Sequence, residues 1–249
     1  MQAIDLNCDL GEGAGHDAAL MPLITSANIA CGGHAGDAAT MRETMMLALQ
    51  SGAAIGAHPG FADRENFGRR ERAVTSAEVR ELIVTQLGAL WEVADSLGAK
   101  VRHVKPHGAL YNMAARDPVL AGAIASAISS VDSQLVLFGL AGSELIRAGQ
   151  THGLHVANEV FTDRTYQADG SLTRRAHPKA MIEDEAAVIA QVLQIVRTGT
   201  VTAVNGELVP VKADTVCLHG DGVHAVAFAN RLRAALENAG IRVRATASR

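Results

Sequence analysis

Ionisable side chains follow short apolar segments at several places along this sequence. The stretch HVKPHGA (103–109) brings Lys105 and His107 directly after one such segment. Comparable positions beside other apolar segments hold Asn7, Asp9, Glu12, His34, His58, Glu159, Arg164, His219 and Asp221. Histidines, lysines and carboxylates are the groups that transfer protons, hold anionic substrates or bind metal ions. The pattern therefore predicts one functional site built from the ends of several strands.

Asp9 and two histidines are the first candidates for chemistry. Asp9 is suited to proton transfer or to metal binding, and capping a helix is the structural alternative. With His34 and His58 it makes a possible metal-binding set of two histidines and a carboxylate. Histidines held by hydrogen bonds alone explain the same pattern equally well. We therefore assign these three residues to catalysis and leave the presence of a metal open.

Lys105 and His107 complete the predicted catalytic group. Lys105 is able to form a Schiff base, hold a substrate carboxylate or stabilise developing negative charge, and a salt bridge to Asp9 or Glu159 is the structural alternative. His107 is a candidate proton carrier because an unperturbed histidine has a pKa of about 6.5. A nucleophilic Cys31 is less favoured, since cysteine is commonly a small buried residue. Substrate binding is assigned to Asn7, Glu12, Glu159, Arg164, His219 and Asp221.

Seven short apolar or β-branched segments alternate with helical patterns. The predicted strands cover 3–6, 27–31, 53–57, 101–104, 135–138, 155–160 and 215–218. The predicted helices cover 37–50, 76–97, 118–129, 142–148, 183–197 and 223–239. Such alternation favours parallel strands joined by right-handed crossovers, hence a barrel or a doubly wound sheet, and about seven such units indicate an incomplete or distorted barrel. We predict an α/β fold in which residues 1–249 form a single domain, a distorted and seven-stranded (β/α) barrel whose carboxyl-end rim holds the site.

Local signals define some of the element ends. Ser76 is placed to cap the long helix over 76–97, and Gly98 and Gly240 stand where a left-handed residue ends a helix. The segment 200–211 breaks the alternation. Its Asn205-Gly206 pair between alternating residues predicts a β-hairpin.

Composition excludes several classes of protein. The 249 residues carry a net charge of −4 and no basic cluster of the kind that binds nucleic acid. No apolar run reaches the roughly 20 residues that a membrane-spanning helix needs. The three cysteines and the absence of an export signal in the first residues favour a cytoplasmic protein with reduced thiols. Association of several copies of the chain stays possible.

Six longer strings together resemble the LamB/YcsF family. They are DLNCDLGEG, NIACGGHAGD, GAHPGFADRENFGRR, VKPHGALYN, NEVFTDRTYQADGSL and CLHGDG, in order between residues 5 and 222. Three positions depart from the family pattern: Gly33 replaces a bulky residue, and Gly60 and Ala62 replace serine and proline. The change at Gly33 is expected to alter one wall of the pocket. None of the departures affects an ionisable residue.

The resemblance implies both a fold and a reaction. The fold is a distorted barrel of the glycoside hydrolase/deacetylase type. The reaction is cleavage of 5-oxo-L-proline to L-glutamate, coupled to hydrolysis of ATP with Mg²⁺ and carried out with partner subunits B and C. The chain has no GxxxxGK[ST] phosphate loop, so a partner or an unfamiliar site would bind the nucleotide. The alternatives are a metal-dependent amide hydrolase or carbohydrate deacetylase acting alone, a non-catalytic scaffold, and a Schiff-base lyase.

Overall fold

Seven parallel strands close into a barrel in the computed structural model, which describes residues 2–174, 177–220, 222 and 224–246. In chain order the strands are β1 Ala3–Leu10, β2 Ser26–Ala30, β3 Ala54–His58, β4 Val101–Val104, β5 Val136–Leu140, β6 His155–Phe161, β7 Thr200–Thr202, β8 Leu208–Pro210, β9 Thr215–Leu218 and β10 Arg242–Val243. Strands β1 to β6 pair in sequence order, and β9 closes the ring by pairing with both β6 and β1. The predicted seven-stranded α/β barrel is confirmed.

Helices cover the outside of the barrel. They are α1 Asp17–Leu20, α2 Ala38–Ser51, α3 Ser76–Leu97, α4 Gly108–Ala114, α5 Pro118–Val131, α6 Glu144–Thr151, α7 Glu185–Thr198 and α8 Ala225–Asn238. The six predicted helices correspond to α2, α3, α5, α6, α7 and α8. The last prediction began at Val223, which lies outside the described residues. The short helices α1 and α4 were not predicted.

The predicted element ends are confirmed with one correction. Thr75, not Ser76, caps α3, because its hydroxyl accepts the Glu78 N–H while the Glu78 carboxylate accepts the Thr75 N–H. Gly98 ends the helix in a left-handed conformation with φ of 63°. The hairpin of β7 and β8 turns at Asn205-Gly206 as predicted.

β1 is longer than predicted, and this changes the place of the first candidate residues. The prediction ended the strand before Asn7, but β1 continues to Leu10 and pairs with β2 through residues 7 to 10. Side chains of a strand alternate between its two faces. The polar residues of β1 are therefore inside the barrel rather than in a loop after the strand.

The barrel interior is polar, while the apolar core lies between the strands and the helices. Within the barrel, buried polar side chains bond one another across neighbouring strands. Asn28 donates to Asn7, and the ring nitrogen Nε2 of His103 lies 2.8 Å from the side-chain carbonyl oxygen of Asn28. Buried polar groups are tolerated when they are hydrogen-bonded, so this network fixes the positions of the side chains above it. No helix in the described part of the chain is long and apolar enough to cross a membrane.

Candidate active site at the barrel mouth

A cavity lies at the carboxyl ends of the barrel strands, at the rim that the sequence predicts. The candidate residues that line it are Asp9, Glu12, His58, Lys105, His107, Arg164 and His219. Buried directly behind this lining are Asn7, His34 and Glu159. Asp221 lies outside the described residues. A second hollow, at the amino ends of the strands, contains none of the candidates.

Lys105 links the carboxylates of two strands. Its Nζ lies 2.9 Å from Oδ1 of Asp9 on β1 and 2.8 Å from Oε1 of Glu159 on β6. It also donates to Oδ1 of Asn7 at 3.2 Å. Burial lowers the pKa of Lys105, but Asp9, then Cys217 and Glu159, outweigh that effect and hold the pKa well above its usual value. Both salt bridges that were considered as alternatives are present, which disfavours Lys105 as a Schiff-base nucleophile.

Asp9 presents its carboxylate to the cavity. Its Oδ1 accepts hydrogen bonds from Lys105 and from Asn28 Nδ2, and its Oδ2 lies 3.3 Å from Nε2 of His58. Burial raises the pKa of this carboxyl, yet the positive charges of His58 and Lys105 together hold it well below its usual range. Asp9 is therefore ionised at neutral pH and stabilises positive charge on His58.

His58 and His107 face each other through one nitrogen each. The distance between His58 Nε2 and His107 Nδ1 is 2.9 Å. His58 Nδ1 lies 2.7 Å from the Lys105 carbonyl and His107 Nε2 lies 2.9 Å from the Phe67 carbonyl, so each of these nitrogens donates its N–H. A proton or another cation is then required between the two facing nitrogens, because otherwise two lone pairs would meet.

The described charges favour a proton on His58. Burial lowers the pKa of His58, but Asp9 and Glu12 outweigh it and raise the pKa above its usual value. Burial, with the positive charge of His58, lowers the pKa of His107 to about 3. His58 thus holds the proton between the two facing nitrogens, and His107 is neutral.

Glu12 is the carboxylate that the three imidazoles share. Its Oε1 lies 2.8 Å from Nε2 of His34, 3.3 Å from Nδ1 of His107 and 3.7 Å from Nε2 of His58. Burial raises the pKa of Glu12. His34 stacks on His107 with ring centroids 3.6 Å apart, and burial, with the charge of His58, lowers the pKa of His34 to about 3.

This arrangement differs from the predicted metal set of Asp9, His34 and His58. The structure groups Glu12, His34, His58 and His107, whose ligand atoms lie within 4.8 Å of one another. Asp9 touches this group only through His58, because its other oxygen is held by Lys105 and Asn28. Glu12 was assigned to substrate binding. It stands in a glycine-rich loop, where the sequence gives no direction to the side chain.

Arg164 and His219 form the far side of the mouth. The Arg164 guanidinium is buried and donates to the Thr173 carbonyl at 2.6 Å. His219 Nδ1 lies 2.9 Å from Asp163 Oδ2. Burial raises the pKa of Asp163, but the hydrogen bond and charge of His219 outweigh it and lower that pKa. These residues border the cavity on the side opposite His107 and His58.

Sequence reasoning missed Asn28 and Tyr111. Asn28 interrupts the apolar strand β2, and that single polar residue was the available signal. Tyr111 lies on the unpredicted helix α4 and lines the cavity; burial and the Glu159 carboxylate raise the pKa of its hydroxyl well above the usual value. Cys31 is buried, and burial raises its pKa to about 12, which disfavours it as a nucleophile.

Gly33 does not line the cavity, so the expected change in a pocket wall is not found. A Cβ at this position would lie 2.6 Å from the Gly60 carbonyl oxygen and 2.7 Å from the Gln86 amide. Gln86 instead fills the space and bonds both the N–H and the carbonyl of Gly60. The glycine therefore lets α3 hold the loop that follows β3.

Comparisons with known proteins agree with the resemblance of the sequence strings. The profile of the LamB/YcsF family matches residues 4–249. The A subunit of 5-oxoprolinase from Tolumonas auensis is 53% identical, with 98% of this chain and 100% of the relative covered. The A subunit of 5-oxoprolinase from Erwinia tasmaniensis is 57% identical over 96% of this chain and 98% of its own.

Solved structures agree on the fold. The lactam utilization protein from Thermus thermophilus is 41% identical, has a TM-score of 0.92, and covers 98% of this chain and 100% of its own. The T48 deacetylase has a TM-score of 0.50 at 15% identity, covering 97% of this chain and 87% of its own. That likeness concerns the fold alone, and it fits the predicted barrel of the deacetylase type.

Proposed function

The chain belongs to the LamB/YcsF family, and from this premise we propose that it opens the lactam ring of 5-oxo-L-proline as the A subunit of an ATP-dependent 5-oxoprolinase. The name of the curated relatives supports this proposal, because the chain matches them over nearly its full length. The observation that carries it is the Asp9–His58–Lys105 constellation at the edge of the cavity.

The groups at the mouth suit the cleavage of a cyclic amide. Opening the ring requires attack of water on the carbonyl carbon and a proton for the nitrogen that leaves. His58, held protonated by Asp9 and Glu12, lines the cavity and is the proton donor in this proposal. Lys105 keeps Asp9 in place, and the Lys105 ammonium group would stabilise the negative charge that develops on the carbonyl oxygen.

ATP enters the proposal as the means of activating the lactam. A lactam is a stable amide, and transfer of a phosphoryl group to its oxygen makes the carbon more electrophilic. In the proposed complex, subunits B and C take part in this step with ATP and Mg²⁺. ADP is released in that transfer. Water then adds to the activated carbon, and the C–N bond breaks as the nitrogen is protonated, which gives the γ-acyl phosphate of glutamate. A second water hydrolyses the acyl phosphate to glutamate and phosphate.

The substrate carboxylate requires a cation that faces the cavity. Lys105 is a poor anchor, because its ammonium group already contacts Asp9, Glu159 and Asn7. Arg164 lines the cavity, and so does Arg69, whose side chain is exposed and whose guanidinium lies 5.0 Å from the Phe67 ring centroid. We assign the carboxylate to these two arginines.

Glutamate release from 5-oxoproline tests the proposal. The chain is assayed alone and with B and C subunits whose activity with an established A-type partner is known, each time with and without MgATP. Glutamate that forms only in the full mixture with ATP supports the proposed role. No glutamate, in a mixture that the established A-type partner makes active, removes 5-oxoproline as the substrate.

One observation favours the second candidate function, a metal-dependent amide hydrolase acting alone. Glu12 and the three imidazoles around it resemble the nitrogen and oxygen ligand sets of zinc hydrolases. Hydrolysis of an amide or N-acetyl substrate by the chain without ATP and without partners would support this alternative. Its absence, together with ATP-dependent glutamate release, would reject it.

A further inference from the structure

Four side chains direct ligand atoms towards one point beside the cavity. They are Glu12, His34, His58 and His107, and their nearest oxygen or nitrogen atoms lie within 4.8 Å of one another. The three histidines are buried, and the Glu12 side chain is only 13% exposed. Grouping one carboxylate and several imidazoles so closely has a desolvation cost, which a bound cation would offset.

His58 and His107 have the outer hydrogen bonds that are typical of metal ligands. A histidine that binds a metal through one nitrogen usually donates its other N–H to a carbonyl or carboxylate. His58 donates from Nδ1 to the Lys105 carbonyl, and His107 donates from Nε2 to the Phe67 carbonyl. Each ring therefore directs its remaining nitrogen, His58 Nε2 or His107 Nδ1, at the same point.

His34 differs from these two histidines. Its Nε2 lies 2.8 Å from Glu12 Oε1, while its buried Nδ1 has no hydrogen-bond partner among the described residues. It thus lacks the outer hydrogen bond of His58 and His107. It also lies outside the cavity lining, so its place is behind Glu12, where its Nε2–H orients the carboxylate.

We propose that Glu12, His58 and His107 bind one divalent transition-metal ion of the Zn²⁺ type, with His34 as a positioning residue. Two ligands of a tetrahedral zinc ion with bonds of about 2.0–2.1 Å lie roughly 3.3 Å apart. The corresponding distances here are 2.9 Å between the two histidines, and 3.3 Å and 3.7 Å from Glu12 to His107 and His58. Imidazole and carboxylate donors favour zinc or a neighbouring transition metal over Mg²⁺.

The ion would face the cavity, because its three ligands all line it. A cation there would act as a Lewis acid towards a carbonyl oxygen in the mouth. The proposal concerns the same mouth as the proposed function, but the ion would replace the proton between His58 Nε2 and His107 Nδ1. With the ion bound, His58 would be a ligand and not the proton donor. Metal binding is measured without substrate, ATP or partner subunits, so its failure and the failure of the oxoprolinase assignment are separate results.

Calorimetric titration with Zn²⁺ tests the site. The full chain is treated with a chelator, dialysed and titrated with Zn²⁺ in a buffer that does not bind metals. We expect one ion per chain with a dissociation constant in the micromolar range or below. Three variants are compared: Glu12→Gln, His58→Asn and His107→Gln. Each is expected to weaken binding by at least about 100-fold, because loss of an outer-shell partner alone costs about 10- to 100-fold.

The variants are chosen to preserve the outer hydrogen bonds. In His58→Asn the new amide can still donate to the Lys105 carbonyl, and in His107→Gln the new amide can still donate to the Phe67 carbonyl, while each change removes the ligand nitrogen. His152→Ala changes an exposed histidine outside the cluster and serves as the control. Thermal denaturation identifies which variants are folded.

Two results would overturn the proposal. One is a dissociation constant of about 1 mM or higher for Zn²⁺ and the wild-type protein. The other is Zn²⁺ binding of equal affinity in the wild type and in any folded one of the three ligand variants. Tight binding by the wild type and by His152→Ala, lost in the folded ligand variants, establishes the site.

Discussion

Lys105 Nζ lies 2.8 Å from Oε1 of Glu159, and at most 3% of either side chain is exposed. On its other side the same ammonium group lies 2.9 Å from Asp9 Oδ1. Lys105 thus joins a carboxylate inside the barrel to one that faces the cavity. Separating a buried ion pair leaves an uncompensated charge in a poorly solvated place, so the three residues act as a unit.

Lys105→Met should destabilise the fold as well as abolish glutamate formation. Without the ammonium group, the Glu159 carboxylate is left buried beside the neutral Asn7 amide. We expect the free energy of unfolding to fall by about 3–5 kcal/mol in urea denaturation. Adding Glu159→Gln removes the unpaired buried charge and should restore part of the lost free energy of unfolding. We expect a coupling free energy between the two substitutions of at least about 1 kcal/mol. Strictly additive effects of the two substitutions would contradict this account.

Asp9→Asn should leave the protein folded and inactive. The asparagine oxygen still accepts from Lys105, but the negative charge opposite His58 Nε2 is lost. Without that charge, the protonated form of His58 is less stable at neutral pH. We expect glutamate formation by the complete enzyme to fall by at least about 100-fold, the usual scale of general acid–base catalysis.

The control for Asp9→Asn makes the same chemical change at the other end of the barrel. Asp95 is exposed on α3 beside the hollow at the amino ends of the strands. Asp95→Asn should retain wild-type activity. An Asp9→Asn enzyme with full activity would remove Asp9 from the catalytic group, whatever the control shows.

The barrel could be predicted from sequence because its signals are local. Strand–helix alternation, the Asn205-Gly206 turn and the glycine after α3 each depend on neighbouring residues only. The rim location also follows from local signals, since the carboxyl ends of parallel strands share one side. The polar interior of the barrel could not be predicted from local signals. Asn7 and Asp9 had the appearance of loop residues, because nothing in the sequence shows that the inside of this barrel is hydrogen-bonded rather than apolar.

The composition of the site depends on contacts between distant residues. His58 and His107 are 49 positions apart, and Glu12 reaches them from a loop whose side-chain direction is set by tertiary packing. Sequence motifs alone therefore could not decide whether Asp9 or Glu12 is the carboxylate that contacts the imidazole cluster. The salt bridges of Lys105 could be anticipated from the sequence, because a buried lysine at the end of a barrel strand needs a carboxylate partner.

Asp5 should make the protein less stable as the pH rises from about 4 to about 7. This carboxyl is fully buried and accepts hydrogen bonds from Thr25, Ser26 and Thr215. Burial raises its pKa from 3.8 to about 6, against the opposing effect of these hydroxyls. A raised carboxyl pKa favours folding below the unfolded pKa, and this advantage is lost as the pH rises through the folded pKa.

The size of that loss follows from the shift of about two pKa units, which corresponds to about 3 kcal/mol. Urea denaturation from pH 4 to pH 7.5 measures it when the wild type is compared with Asp5→Asn, which cannot titrate. The stability difference, wild type minus variant, should fall by about 3 kcal/mol over this range. Parallel curves for the two proteins would show that Asp5 does not titrate there.

Gly33→Ala should destabilise the protein, although alanine is a small residue. The new methyl group would lie 2.6 Å from the Gly60 carbonyl oxygen, a backbone atom that is held by Gln86. Overpacking of this kind costs about 1–3 kcal/mol, which urea denaturation would detect.

Gly88→Ala is the matched control, because Gly88 lies within α3 and a Cβ there meets no atom within 4 Å. That substitution should raise the free energy of unfolding by up to about 1 kcal/mol through helix propensity. Equal effects of the two substitutions would show that the loop after β3 yields to the methyl group, and that Gln86 does not fix it.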